Sequence, residues 1–143
     1  MDAGADAIGL MFYPPSHRHL EIDQAARIMQ SLPPFVSSVA VMVNPEPEYV
    51  REIIQRTGVD RLQFHGEETD EFCAGFNLPY LKAIRVADET DLFEREREFP
   101  RCQGILLDTV VADRYGGSGE RFDLRLADYG GSKPMILAGG LRA

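Results

Sequence analysis

Tryptophan is absent from this 143-residue chain, and cysteine and histidine are scarce, with two and three copies. A pair of cysteines, Cys73 and Cys102, cannot build a disulfide framework. A reducing cytoplasmic setting is therefore the default, and each thiol reads as a small buried hydrophobe. So few histidines, with no paired cysteines or acidic residues at ligand spacing, argue against a metal site. Positive charge is short as well: 15 Lys and Arg stand against 23 Asp and Glu, a formal net charge of −8. Nucleic acid and anionic membrane surfaces need a basic face, so the charge balance argues against both as partners. No apolar run approaches the roughly 20 residues of a membrane span. Met1-Asp2-Ala3-Gly4-Ala5-Asp6 has neither the basic start nor the apolar middle of a signal peptide. A small anionic substrate survives these exclusions, because local donors rather than net charge decide its binding.

What remains is a chain that is 44% hydrophobic, a content and length suited to one domain over residues 1–143. Short apolar runs rich in branched side chains recur at 7–12, 39–43, 61–64, 81–86, 105–107 and 135–138. Helix-like stretches separate most of them. Ile22, Ala25, Ala26, Met29 and Leu32 keep a helical period up to Pro33-Pro34. Pro47 suits a first helical turn, with Val50, Ile53 and Ile54 on the apolar face and Gly58 as the C-terminal cap. Glu71, Phe72 and Cys73 predict a shorter third helix, and Leu92, Phe93 and Glu96 a charged fourth. Alternating strands and helices predict an α/β fold of parallel strands joined by right-handed crossovers. An open doubly wound sheet and a (β/α)8 barrel both satisfy this pattern. The chain opens on what reads as a helix tail, residues 2–6, and stops just after a strand, which predicts an internal piece of a larger repeat.

The predicted strand ends carry Asn44, His65, Arg85, Asp108 and Gly139-Gly140. Parallel α/β folds place their active sites at that end. Asp108 closes the apolar run Ile105-Leu106-Leu107 and is followed by Gly116-Gly117-Ser118-Gly119. A strand-end carboxylate can act as general acid, and a glycine loop can hold phosphate with its backbone N–H groups. Neither Gly117-Ser118-Gly119 nor Gly139-Gly140 has the Lys-Ser/Thr ending of a nucleotide P-loop, which sets ATP and GTP aside. In Gln63-Phe64-His65 the alternation sends Gln63 and His65 to one side of the strand and Phe64 to the other. Arg18, in the proline-stiffened loop Pro14-Pro15-Ser16-His17-Arg18-His19, can fork onto a carboxylate. For each of these residues alone a structural role competes: a helix cap for Asp108, a core hydrogen bond for His65, a solvated loop for Arg18 and the glycines.

In combination, "GADAIGLMFYPPSHRHL", "LPPFV", "VAVMVN", "LQFHGEE", "LKAIRV", "ILLDT", "YGGSGERFD" and "ILAGGL" resemble phosphoribosylanthranilate isomerase over essentially the whole chain. The resemblance implies a (β/α)8 TIM barrel of tryptophan biosynthesis that uses no metal and no organic cofactor. Its reaction would be the Amadori rearrangement of N-(5-phosphoribosyl)anthranilate to 1-(2-carboxyphenylamino)-1-deoxyribulose 5-phosphate. It further implies Asp108 as general acid and Arg18 as the partner of the anthranilate carboxylate. Gln63 and His65 would line the mouth, and Gly117, Ser118, Gly119, Gly139 and Gly140 would hold the phosphate. The family's general-base cysteine lies on a first strand reading like "KICGIT", which has no counterpart here. A later "DVSSGVE" strand is also unmatched. The chain would thus hold strands two to seven of eight and be inactive alone. The partner implied is a small phosphorylated sugar–anthranilate substrate, with room for fusion to or association with other enzymes of the pathway. Two other readings stand beside it: another phosphate-binding barrel enzyme, such as a sugar-phosphate epimerase or indole-glycerol-phosphate synthase, and a non-catalytic remnant that binds sugar phosphates.

Overall fold

The computed structural model describes residues 4–86, 91–109 and 130–138. Among them every apolar run becomes a strand: β1 (Ala7–Met11), β2 (Ser37–Met42), β3 (Arg61–Phe64), β4 (Tyr80–Val86), β5 (Gly104–Thr109) and β6 (Met135–Ala138). The helices described are α1 (Ile22–Gln30), α2 (Pro47–Thr57), α3 (Asp70–Ala74) and α4 (Leu92–Glu98). Local chemistry sets their ends. Pro47 sits in the first turn of α2, and Gly58 ends that helix with φ +65° while its N–H donates to the Ile54 carbonyl. Thr69 caps α3 by accepting from the Phe72 N–H, and Asp91 caps α4 by accepting from the Phe93 and Glu94 N–H groups. The expected helical period through Leu32 is cut short: Ser31 closes α1, its N–H and hydroxyl both donating to the Ile28 carbonyl. Residues 4–6, part of the expected helix tail, are not helical.

All neighbouring strands pair in parallel, in the order β1-β2-β3-β4-β5-β6. A doubly wound sheet reverses its strand order at a switch point, and this order has no reversal. Right-handed crossovers that step in one direction put their helices on one face. The core confirms it: Leu10, Met42, Leu62, Phe64, Ile84 and Leu107 of the strands cluster with Ile22, Ala25, Val50, Ile53, Cys73 and Leu92 of the helices. Period-two alternation turns the intervening residues, among them Val41, Gln63, Ala83, Arg85, Leu106 and Asp108, to the opposite face.

Strand β2 begins earlier than its apolar run because Ser38, fully buried, has polar partners. Its N–H and its hydroxyl both donate to Asp60 Oδ2, at 2.7 Å each. Those bonds, the backbone one foremost, hold the Asp60 carboxyl below its ordinary value. Asp60→Ala strands a buried N–H and a hydroxyl and is expected to cost about 1–3 kcal/mol in denaturant unfolding at neutral pH. A depressed folded-state value gives stability above the ordinary carboxylate range that is lost as pH falls through that depressed value. The gap between wild type and variant should therefore shrink on acidification below about pH 4.

Candidate functional site

The site is built on the C-terminal end of β3. Phe64 points to the helices, where its ring meets Phe72, Phe76 and Tyr80 at centroid distances of 5.8, 6.2 and 6.1 Å. That aromatic anchor fixes the strand's rotation and turns Gln63 and His65 to the free face. The ladder continues past the strand, since the His65 N–H donates to the Met42 carbonyl at 2.9 Å. Two strands away, Asp108 lies within β5 rather than beyond it, paired in register with Arg85 of β4. The His65 imidazole reaches across β4, and its Nε2 lies 2.9 Å from Asp108 Oδ2. Both side chains are about a quarter exposed, at 21% and 28%, so the pair is sheltered yet open to a ligand.

This contact can place a proton. With Asp108 protonated, its O–H donates to an unprotonated Nε2; with Asp108 ionised, an Nε2–H donates to the carboxylate. Either arrangement aims the carboxyl and leaves Asp108 Oδ1 without a protein partner among the described residues. An open cleft of about 470 Å³ adjoins His65, lined also by Gly66, Ala83, Arg85, Asp91 and Arg95 among others.

Of the residues singled out in the sequence, His65 and Asp108 are thus brought together. Gln63 lies half-buried on the same face, its side chain without a hydrogen-bond partner among the described residues. Arg18 lies in the loop after β1, at the same end of the sheet as His65, but it does not touch the pair. Its backbone N–H donates to Ser16 Oγ at 3.1 Å, and its exposed guanidinium has no protein partner among the described residues. Gly117, Ser118, Gly119, Gly139 and Gly140 lie outside the described residues. Both cysteines are buried, as expected for packing thiols. Burial pushes the Cys73 thiol up to about 12 and raises that of Cys102 as well. Neither is poised as a thiolate. Among the described residues no three His, Cys, Asp or Glu side chains gather in a metal-binding group, and no helix is long and apolar enough to cross a membrane.

Sequence reasoning missed the loop that follows His65. Glu68 and Lys82 form an ion pair at 2.7 Å with side chains only 3% and 1% exposed. Glu68 accepts from the Asn44 and Gly66 N–H groups at 2.7 and 2.9 Å, and Lys82 Nζ donates to the Gly66 carbonyl at 2.6 Å. The signal was present in outline: in β4 the alternation that turns Ala83 and Arg85 to the open face must turn Lys82 to the buried one.

A sequentially ordered parallel sheet, with helices on one face and a carboxylate–imidazole pair at its C-terminal edge, defines an α/β protein with the layout of barrel enzymes. The family profile of N-(5'phosphoribosyl)anthranilate (PRA) isomerase matches residues 1–143. The chain is 48% identical over 140 residues to N-(5'-phosphoribosyl)anthranilate isomerase of Neisseria gonorrhoeae, covering 97% of this chain and 67% of that one. Against the Pseudomonas fluorescens protein of the same name it is 49% identical over 139 residues, with 97% and 66% covered. Its fold matches the crystal structure of phosphoribosyl anthranilate isomerase from Thermotoga maritima with a TM-score of 0.82 at 39% identity, covering 98% of this chain and 69% of that one. A phosphoribosyl anthranilate isomerase in complex with reduced 1-(o-carboxyphenylamino)-1-deoxyribulose 5-phosphate matches at 0.79 and 36%, with 98% and 67% covered. This chain belongs to the phosphoribosylanthranilate isomerase family. It spans about two thirds of the length of the curated relatives it matches.

Proposed function

We propose that this chain forms strands two to seven of a (β/α)8 barrel and supplies the acid side of its active site. The barrel isomerises N-(5-phosphoribosyl)anthranilate to 1-(2-carboxyphenylamino)-1-deoxyribulose 5-phosphate in cytoplasmic tryptophan biosynthesis. The observation that carries this reading is the 2.9 Å contact of His65 with Asp108 at the strand ends of a chain belonging to that family. Asp108 delivers its proton to the furanose ring oxygen as the C1′–oxygen bond breaks, and the aniline nitrogen's lone pair forms the Schiff base. A general base then takes the C2′ proton, and the electrons of that C–H bond move to give an enamine that tautomerises to the ketone. Arg18 holds the anthranilate carboxylate, Gln63 and His65 line the mouth, and Gly117, Ser118, Gly119, Gly139 and Gly140 hold the ribose phosphate. A tryptophan auxotroph lacking this isomerase tests the reading. A full-length barrel carrying this sequence should restore growth, and failure to restore it with soluble protein present would overturn the proposal.

The base is a different matter. Cys73 packs in α3 on the helix face, and Cys102 precedes β5 at the opposite end of the strand from Asp108, both buried. Both pack in the core cluster with Phe64 and Leu107, away from the face that carries Asp108. We infer that the 143-residue chain expressed alone turns over no substrate. Among the described residues β1 and β6 are the outer strands of the sheet, and a strand edge left unpaired promotes self-association. Anthranilate-fluorescence loss under excess phosphoribosylanthranilate, corrected for spontaneous hydrolysis, measures this. Turnover near that of a full-length barrel would mean that a group within the chain serves as base.

A further inference from the structure

We propose that Glu68 and Lys82 are positioning residues that set the reach of His65 toward Asp108. The inference rests on the functional reading above for its kinetic arm only. His65 is held on both flanks. Its own N–H donates to the Met42 carbonyl; the next residue, Gly66, donates its N–H to Glu68 Oε2, and its carbonyl accepts from Lys82 Nζ. Glu68 Oε1 takes the Asn44 N–H, while Asn44 Oδ1 takes the Glu67 N–H at 2.7 Å. One buried pair therefore ties together the chain just past β2, the loop after β3 and the body of β4. The fit is tight. A Cβ at Gly66 would stand 2.9 Å from the Asn44 backbone nitrogen and would also collide with Asn44 Oδ1. Asn44 itself adopts φ +46° to make the approach.

Lys82 cannot touch a ligand on the open face. It pairs in register with Phe64 on the helix side of the sheet, and its ammonium lies 5.3 Å from the centroid of the Phe99 ring. Glu68 is equally enclosed. A buried ion pair is weak evidence for stability, because two well-packed apolar side chains commonly serve a fold as well or better. What an apolar pair cannot do is satisfy the Gly66 and Asn44 N–H groups and hold the peptide beside His65 in place. Positioning to a fraction of an ångström matters for proton transfer, where a small misplacement is costly.

The experiment uses a full-length isomerase carrying this sequence, with Glu68→Gln, Lys82→Met and the double variant Glu68→Leu/Lys82→Met. Glu68→Gln keeps shape and an acceptor oxygen while removing the charge. It should lower kcat about 10- to 100-fold with KM changed less than about threefold. In the ligand-free protein the His65 imidazole nitrogen shifts should move. The double variant should recover most of the unfolding midpoint lost by Lys82→Met alone, yet not recover kcat. Recovery of stability and kcat together would overturn the proposal, as would His65 signals identical to wild type in Glu68→Gln. If the double variant does not fold, Glu68→Gln decides through kcat and the His65 signals. If the unsubstituted protein proves to have no isomerase activity, the functional reading fails, and the imidazole signals still decide the positioning claim by themselves.

Discussion

Asp108→Asn should lower kcat by about 10²-fold or more in a full-length isomerase carrying this sequence, with KM close to wild type. The substitution is nearly isosteric, and an Asn amide can keep a hydrogen bond with the His65 Nε2 that now lies 2.9 Å from Asp108 Oδ2. Packing should therefore survive. Leu107 on one side of Asp108 is fully buried and anchors β5 to the helices whatever stands at position 108. What the amide cannot do is give up a proton to a departing ring oxygen. Steady-state kinetics with an unfolding midpoint on the same preparation separates loss of chemistry from loss of fold. A kcat within a few-fold of wild type, in a protein as stable as wild type, would remove Asp108 from the role of acid.

Arg18→Ala should weaken binding of the reduced product analogue by about 2–5 kcal/mol, the usual cost of removing one partner of a hydrogen-bonded charge pair. The exposed guanidinium has no protein partner among the described residues, so its removal breaks no ion pair among them. The loop keeps its own fastening: the Ser16 N–H donates to the Tyr13 carbonyl, the His19 N–H to the Ser16 carbonyl, and the Leu20 N–H to the Met11 carbonyl. The loss should thus appear in binding and not in stability. Calorimetric titration against the analogue, and against a version lacking the benzoate carboxylate, provides the control. Only the first should suffer. Equal losses for both would place the role of Arg18 in the loop's conformation.

The sequence made the strands legible because each is a short apolar run, all but the first ending at a polar residue or glycine, and a run of that kind has few other uses in a short chain. The strand–helix period alone did not tell a barrel-type sheet from a doubly wound one, since both alternate strand and helix; the family resemblance pointed to the barrel, and strand order sets the doubly wound sheet aside. Boundaries slipped where a long-range partner overrode local pattern. Ser37 and Ser38 lie before the apolar run 39–43, yet they pair with Ala7 and Ile8, and Asp60 satisfies the Ser38 hydroxyl from 22 residues away. Strand β5 runs through Asp108 and Thr109 because Arg85 and Val86 of β4 continue the ladder beside them. In the site, His65 and Asp108 were visible as strand-end residues. Their contact was not, because it spans 43 residues and depends on the sheet between them. Neither Glu68 nor Lys82 stood out in the sequence. Their pairing follows only from the side of β4 that the helices cover.

The division of each strand between two faces has a consequence for how such a protein changes over time. Leu62 and Phe64, Lys82 and Ile84, Ile105 and Leu107 are spent on holding the sheet to its helices. Gln63, Ala83, Arg85, Leu106 and Asp108 alternate with them along the same strands and face the other way. Innovation and foldability are thereby interleaved in the chain but decoupled in space. A lineage can exchange residues at 63, 83 or 85 and explore new substrates while the neighbours that guarantee folding stay untouched.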